Sequence, residues 1–258
     1  MKKYKIAILG GGNVAHHLIR QVTGSGHKLV QIYNRTLSTA KDSATESNAS
    51  PIDNLQSLTQ DADIYIICVK DEAIASLASK IKLKDKLIVH TSGTSSMDLL
   101  RDSSNQYGIF YPLQSFSKNL AIDFRRIPIL IETNEASGLE ALKTFANSIS
   151  DTVVEMKESE RVHIHIAGVL VNNFVNHLFT LSDDYLSKNK IDFNLLKPLI
   201  LQTVEKLNFG KPSEMQTGPA KRHDLKTIES HLKVLEGEKN LHQIYDIMTK
   251  SILNSLEK

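Results

Sequence analysis

Lys5-Ile6-Ala7-Ile8-Leu9-Gly10-Gly11-Gly12-Asn13-Val14-Ala15 decides how the rest of the chain reads. An apolar run of strand formers breaks into three glycines and resumes as a helix pattern through Leu18, Ile19 and Val22. Gly10, Gly12 and Ala15 fill the three small-residue places of the dinucleotide fingerprint G-x-G-x-x-G/A. The first glycine allows a tight turn and the second lets a pyrophosphate reach the backbone. The third small residue keeps the helix near the sheet, while free N–H groups at its start face the phosphates. A strand before the motif and a helix after it turn a weak string into a strong one. Gly10, Gly12, Asn13 and Val14 are the expected pyrophosphate site; a purely structural glycine turn is the bland alternative.

Bulk properties narrow the partners. A chain of 258 residues has material for one large or two ordinary domains, and 31 Lys+Arg against 29 Asp+Glu leaves a charge of +2. That balance argues against nucleic acid or an anionic membrane as the partner. The single cysteine, Cys68, sits in the apolar run Ile64–Val69, so there is no disulfide framework and a reducing, cytoplasmic setting is expected. The first apolar run is too short for a signal peptide. No run reaches the ~18 apolar residues of a membrane span. Cys68 reads as a buried, inert thiol.

The expected strands are Lys5–Leu9, His27–Tyr33, Ile64–Val69, Lys86–His90, Tyr107–Tyr111, Ile127–Glu132 and Thr152–Glu155, with Pro51-Ile52 at best a short one. A helix from about Thr36 to Ser47, a polar loop over Ser43–Ser50, and helices over Met97–Arg101 and Glu135–Ile149 separate them. Alternating strand and helix is the signature of an α/β, doubly wound, mostly parallel sheet. From Ser159 only helix-period segments follow. The expected domains are 1–156, binding a dinucleotide, and 157–258, all helical.

Asn34-Arg35-Thr36 falls just after the second strand, where such folds meet the adenosine ribose. NAD-specific sites use an acid there. None occurs between Gly10 and Lys41, and a guanidinium flanked by two small polar side chains suits a 2′-phosphate. NADP is therefore the favoured cofactor over NAD. Val69 and Lys70 end the third long strand, at the edge where ligands sit; for Lys70, a surface lysine ending the strand is an equal reading.

The helix from about Glu160 to Ser187 carries His165, Gly168, Asn172 and Asn176 within an arc of about 80°. Ile164, Ala167, Val171, Phe174, Val175, Leu178 and Leu181 are its expected core face. No acid, Lys or Arg lies between Arg161 and Asp183, which suits a semi-buried polar wall better than a solvated face. Gly168 inside a helix costs ~1 kcal/mol relative to Ala, so something is expected to approach it closely. Structural polar packing is the alternative. His163, His165 and His177 lack metal-ligand spacing, and no metal site is expected.

Two further clusters stay open. His90-Thr91-Ser92-Gly93 ends a strand where a nicotinamide would lie; either Ser92 and Thr91 bond a substrate and His90 moves a proton, or the group merely closes the strand. Gln216 to Asp224 holds a Gly-Pro turn, a helix-capping Asp224 and the cationic Lys221-Arg222-His223. Arg222 there either meets an anionic substrate or a phosphate of the cofactor, or is solvated.

Gly10–Ala15, Ala62–Lys70, His90–Gly93, Tyr111-Pro112-Leu113-Gln114 and Thr217-Gly218-Pro219…Arg222-His223-Asp224 together resemble a family that joins an NADP-binding Rossmann domain to a helical domain of unknown function, family 2520. More distantly the layout is similar to pyrroline-5-carboxylate reductase and to deazaflavin-dependent NADP reductases. The resemblance implies a homodimer through the helical domain and a small-molecule substrate bound between the domains. β-Hydroxyacid dehydrogenases carry a catalytic Lys four residues before an Asn on this helix. Here Gly168 and Val169 occupy those places, so that mechanism is unsupported. The expectation is an NADP-dependent oxidoreductase with His90, Ser92, His165 and Asn172 on the substrate side. The competing reading is a non-catalytic NADP-binding sensor or interaction protein.

Overall fold

The computed structural model describes residues 2–45 and 47–256, leaving Glu46 of the Ser43–Ser50 loop reading outside the described residues. Eight strands form one sheet: β1 (Lys5–Leu9), β2 (Lys28–Tyr33), β3 (Ser50–Ile52), β4 (Ile64–Ile67), β5 (Leu87–His90), β6 (Gln106–Pro112), β7 (Ile129–Thr133) and β8 (Val153–Glu155). Their spatial order is β3-β2-β1-β4-β5-β6-β7-β8. β3 through β6 pair in parallel, β7 runs antiparallel to β6, and β8 is parallel to β7. This is the doubly wound Rossmann-like arrangement that the strand–helix alternation implies. The order reverses between β1 and β4, so the crevice between their carboxyl ends is where such sheets take ligands.

Helices α1 (Asn13–Gly24), α2 (Leu37–Ala44), α3 (Asp71–Ala78) and α4 (Ala136–Ile149) return the chain between strands. Side-chain alternation along β1 feeds two cores. Ile6 and Ile8 join Leu18, Val22, Phe110 and Phe145 on one face, and Ala7 and Leu9 join Tyr65, Ile67, Ile74 and Ile88 on the other. Each fully buried aliphatic side chain contributes roughly 1.5–3 kcal/mol, which is why the central strands read as unbroken apolar runs. The Met97–Leu100 segment is a 3-10 turn rather than a full helix, and α3 has no counterpart in the helix pattern read from the sequence.

After β8 the described residues contain no further strand. Helix α5 (Glu158–Gly168) passes into a π-helical stretch, Val169–Phe174, and then into α6 (Val175–Lys188). The chain divides into two compact units, 1–173 and 174–258. The division falls inside this helix because α5 is pinned to the sheet. Arg161, wholly buried, donates from Nη1 to Glu132 of β7 at 2.6 Å and from Nη2 to the Ser95 carbonyl at 3.0 Å.

In the second unit α6 is followed by α7 (Lys197–Glu205), α8 (Leu225–Val234) and α9 (Lys239–Leu256). Asp224 caps α8 through the Thr227 N–H at 3.1 Å, as its position predicts. His231 and Tyr245 bond at 2.8 Å, and Lys188 pairs with Glu238 at 2.7 Å. The expected core face of the long helix is not buried. Val171 is 73% exposed and Phe174 56%. By length and composition the 31-residue stretch Glu158–Lys188 is apolar enough to cross a membrane, and its own Asn172, Asn173 and Asn176 interrupt that surface.

Candidate functional site

A crevice of about 650 Å³ opens at the β1/β4 reversal. Gly10, Gly12, Asn13, Val14, Asn34, Arg35, Val69 and Lys70 all line it. Gly10 has φ +137°, and a Cβ there would overlap the Cys68 carbonyl of the next strand end. Gly12 is different: a Cβ would meet nothing within 4 Å, so the glycine leaves open space above the turn. Gly12 is also the N-cap of α1, with no side-chain cap and no acid in the first turn. Uncapped N–H groups at the positive end of a helix, beside an open cradle, fit a pyrophosphate.

Asn34 closes the adjoining wall. Its Oδ1 accepts from the Thr36 N–H at 3.1 Å, and its amide folds against Gly11, where a Cβ would lie 2.4 Å from Nδ2 in the absence of a glycine. Arg35 and Thr36 are exposed beside it, and of the two only Arg35 lines the crevice. Lys70 serves both readings offered for it, as N-cap of α3 and as crevice wall. Burial pushes the Cys68 thiol up to about 12, which keeps it protonated and inert.

One element of this site has no motif in the sequence. The segment Phe116–Lys118 straps across the glycine loop. Asn13 Nδ2 donates to the Phe116 carbonyl at 2.8 Å, His17 Nε2 to the Ser117 carbonyl at 2.9 Å, and Lys118 Nζ to the Gly11 carbonyl at 2.9 Å. Lys118 thus places a cation beside the phosphate cradle from about a hundred residues downstream. No local spacing signals it.

The loop after β5 is a hydrogen-bonded unit. Ser92 N–H donates to His90 Nδ1 at 3.2 Å, so the proton sits on Nε2, which reaches the Ser96 carbonyl at 3.2 Å. His90 is wholly buried, and desolvation lowers its pKa to about 4, keeping the ring neutral. Ser92 Oγ donates to Asp71 at 2.7 Å and accepts from the Thr94 and Ser95 amides. Both side chains are therefore occupied in shaping the loop. Thr91 is the member that lines the crevice.

His165 and Asn172 lie elsewhere. They line a second cavity, of about 440 Å³, together with Tyr111, Gln114, Gly168 and Asn173. The Tyr111 hydroxyl is 3.1 Å from His165 Nδ1. Burial, and then Asp71, raise the Tyr111 pKa, with Arg161 opposing. Among the described residues, a Cβ at Gly168 would meet only Leu113, at 3.9 Å. Gly93 is the glycine under pressure, since a Cβ would lie 2.7 Å from both His165 Nδ1 and the Tyr111 ring. Tyr111 was legible only as part of a Tyr-Pro-Leu-Gln string; its role comes from being at the carboxyl end of β6, facing α5.

Asn176 and Arg222 belong to the second unit. Asn176 is exposed on α6, its carbonyl accepting from Thr180. Arg222 is exposed on the Gly218-Pro219 turn, its N–H directed to the Gly218 and Pro219 carbonyls. Its charge helps hold Asp224 below the usual carboxylate range, after the Thr227 hydrogen bonds.

Residues 5–93 match the family described as NADP oxidoreductase, coenzyme F420-dependent, and residues 127–252 match the domain of unknown function DUF2520. BF3122 of Bacteroides fragilis, assigned as an NADP oxidoreductase, is 32% identical, with 98% of each chain covered and a TM-score of 0.89. Protein TM1727 of Thermotoga maritima shares the fold at 20% identity, covering 98% of this chain and 100% of that one, with a TM-score of 0.75. So does the 1-pyrroline-5-carboxylate reductase of Streptococcus pyogenes, at 13% identity, 98% and 99% coverage, and 0.66. Among curated proteins, a 64-residue stretch is 38% identical to a glutamyl-tRNA reductase of Caldivirga maquilingensis, spanning 24% of this chain and only 16% of that protein.

Proposed function

This chain belongs to the family that couples a coenzyme F420-dependent NADP oxidoreductase-type domain to the helical domain DUF2520, and from that membership we propose that it moves a hydride between NADP(H) and an uncharacterised small molecule. The observation that carries the reading is the crevice at the β1/β4 reversal, which gathers residues of the glycine loop, Asn34-Arg35, Val69-Lys70 and Thr91 in one place. When bound, the cofactor supplies or accepts the hydride through its nicotinamide. Gly10, Gly12, Asn13 and Val14 hold the pyrophosphate with main-chain N–H groups, and Lys118 adds a positive charge. Asn34, Arg35 and Thr36 hold the adenosine 2′-phosphate, where a guanidinium gives two parallel charge-assisted bonds. Thr91 and Val69 hold the nicotinamide end. His90 and Ser92 position this wall without touching substrate, and His165 and Asn172 line the second cavity.

Titration with NADPH and NADH tests the cofactor reading. Arg35→Ala weakens NADPH tenfold or more and leaves NADH nearly unchanged; equal losses for both would refute the 2′-phosphate site. A homodimer through the helical part goes with this reading, supported by exposed Leu195, Leu199, Leu201, Val204, Leu207 and Phe209 in the second unit. A monomeric mass in solution refutes it. A sensor role keeps the same crevice and is favoured by Gly168 and Val169 standing where a catalytic lysine is otherwise found. NADPH that binds yet is not consumed with imines, ketoacids or deazaflavin would select the sensor.

A further inference from the structure

The cavity beside Tyr111 has a lining with a consistent chemistry. Its polar groups are a phenol, an imidazole, the amides of Gln114, Asn172 and Asn173, and one hydroxyl; no Lys, Arg, Asp or Glu is among the lining residues. The arginine of α5 is not among the lining residues: Arg161 is wholly buried, its charge paired with Glu132 and bonded to the Ser95 carbonyl. A carboxylate or phosphate drawn against such walls gives up part of its water and meets no cation among the lining residues, which is unfavourable. A neutral carbonyl or imine finds donors at every polar wall. The volume, about 440 Å³, is that of a small-molecule site.

Two further facts connect this cavity to chemistry. Gly93 lets the loop after β5 press against both the Tyr111 ring and His165, so the phenol of the cavity packs on a residue two positions along the chain from Thr91 of the cofactor crevice. The phenol is 3.1 Å from His165 Nδ1, and His165 is half-buried with an edge toward solvent. When Nδ1 carries the proton, the imidazole donates to the phenol oxygen and leaves the O–H free for a ligand.

We propose that this cavity is the substrate subsite of the oxidoreductase described above, that it admits uncharged carbonyl or imine compounds and rejects carboxylated ones, and that Tyr111 delivers the balancing proton. The proposal rests on the NADP(H) reading of the crevice. In the reductive direction the substrate carbon gains a hydride from the reduced nicotinamide and the π pair of C=O or C=N moves to the heteroatom. The Tyr111 O–H bond breaks to give that heteroatom its proton. The tyrosinate is reprotonated from His165 Nδ1, and the imidazole from water. The substrate is reduced by two electrons and the nicotinamide oxidised by two.

The test uses the full chain saturated with NADP⁺ and titrated with pyrrolidinone or with its carboxylated analogue pyroglutamate, two unreactive lactams of one ring size. Pyrrolidinone is expected to bind at least tenfold more tightly. Pyroglutamate binding as well or better, or neither lactam binding, overturns the subsite. Asn172→Lys places a cation in the wall and is expected to bring pyroglutamate up to the level of pyrrolidinone; an unchanged order overturns the charge argument. For the proton, NADPH oxidation by a neutral cyclic imine is expected to fall about a hundredfold in kcat in Tyr111→Phe, with KM and NADPH affinity held. Wild-type kcat in that variant, or no reduction of the imine by the wild type, overturns the donor. NADPH affinity is measured in the same samples. Its absence refutes the cofactor reading, whereas NADPH binding with the wrong lactam order refutes the subsite alone.

Discussion

The crevice over Gly10–Val14 is built around a glycine turn and the start of a helix, while the cavity at Tyr111 is built around a side-chain pair that stands 54 residues apart in sequence. In the crevice, the glycines matter for what they leave out, and the helix start there is uncapped. In the cavity, specificity rests on which polar atoms β6 and α5 bring together, and that depends on a few tertiary clasps. A backbone-built site announces itself as a local motif. A side-chain-built site does not, and it is correspondingly easier to alter without unfolding the sheet.

The strongest way to break the second site is to cut its clasp. Arg161→Ala leaves Glu132 and the Ser95 carbonyl without their partner and is expected to destabilise the protein by about 3–5 kcal/mol. Denaturant unfolding measures the loss, and the Tyr111–His165 contact is expected to go with it. A loss below about 1 kcal/mol would show that α5 is held to the sheet by other means.

Acid probes the loop between the sites. His90 falls from an ordinary 6.5 to about 4 because burial disfavours its charged form. Between those values the unfolded chain takes up a proton that the native ring refuses. Stability is therefore present in full above pH 6.5 and declines as pH drops toward about 4. At about 1.36 kcal/mol for each pH unit, the term is on the order of 3 kcal/mol. Unfolding free energies across this range, compared with His90→Asn, isolate it; an identical slope in the variant would assign the acid sensitivity to other groups.

Gly10→Ala attacks the first site directly, since its φ of +137° and the Cys68 carbonyl both resist a side chain. A cost of about 1–3 kcal/mol is expected from the backbone strain alone, together with loss of NADPH binding by calorimetry. Gly12→Ala sharpens the comparison: its Cβ has room in the free protein, so stability is expected to hold while NADPH affinity falls. Lys118→Ala is the mildest of the set. NADPH and NADH are both expected to weaken about threefold to tenfold, because the ammonium sits by Gly11 and discriminates no 2′-phosphate.

Particular residues show where sequence reading stopped. Asp224 capping α8 and Cys68 as an inert thiol follow from local rules, and the structure bears them out. The uncharged stripe from His165 pointed to a semi-buried polar wall; His165 is half-buried and Asn172 exposed, and both line the second cavity. The π-helical stretch Val169–Phe174 then breaks the 100° spacing on which Asn176 was added to the stripe. Val171 and Phe174 read as core from periodicity alone, yet periodicity identifies an apolar face and says nothing of what covers it. His90 and Ser92 looked like reagents from their place at a strand end. Only their hydrogen-bond partners show both already engaged.

By itself, the order of residues determined the doubly wound sheet, the glycine turn, the cofactor class and the change to helices after Glu155. Each depends on interactions among residues close in the chain: alternation, spacing, caps and the absence of Cβ atoms. Tertiary structure alone decided that Arg161 locks α5 to β7, that Lys118 reaches the glycine loop, and that Gly93 is pressed by Tyr111 and His165. Those contacts join segments separated by tens of residues, and their free energy exists only once the sheet has brought the segments into van der Waals range.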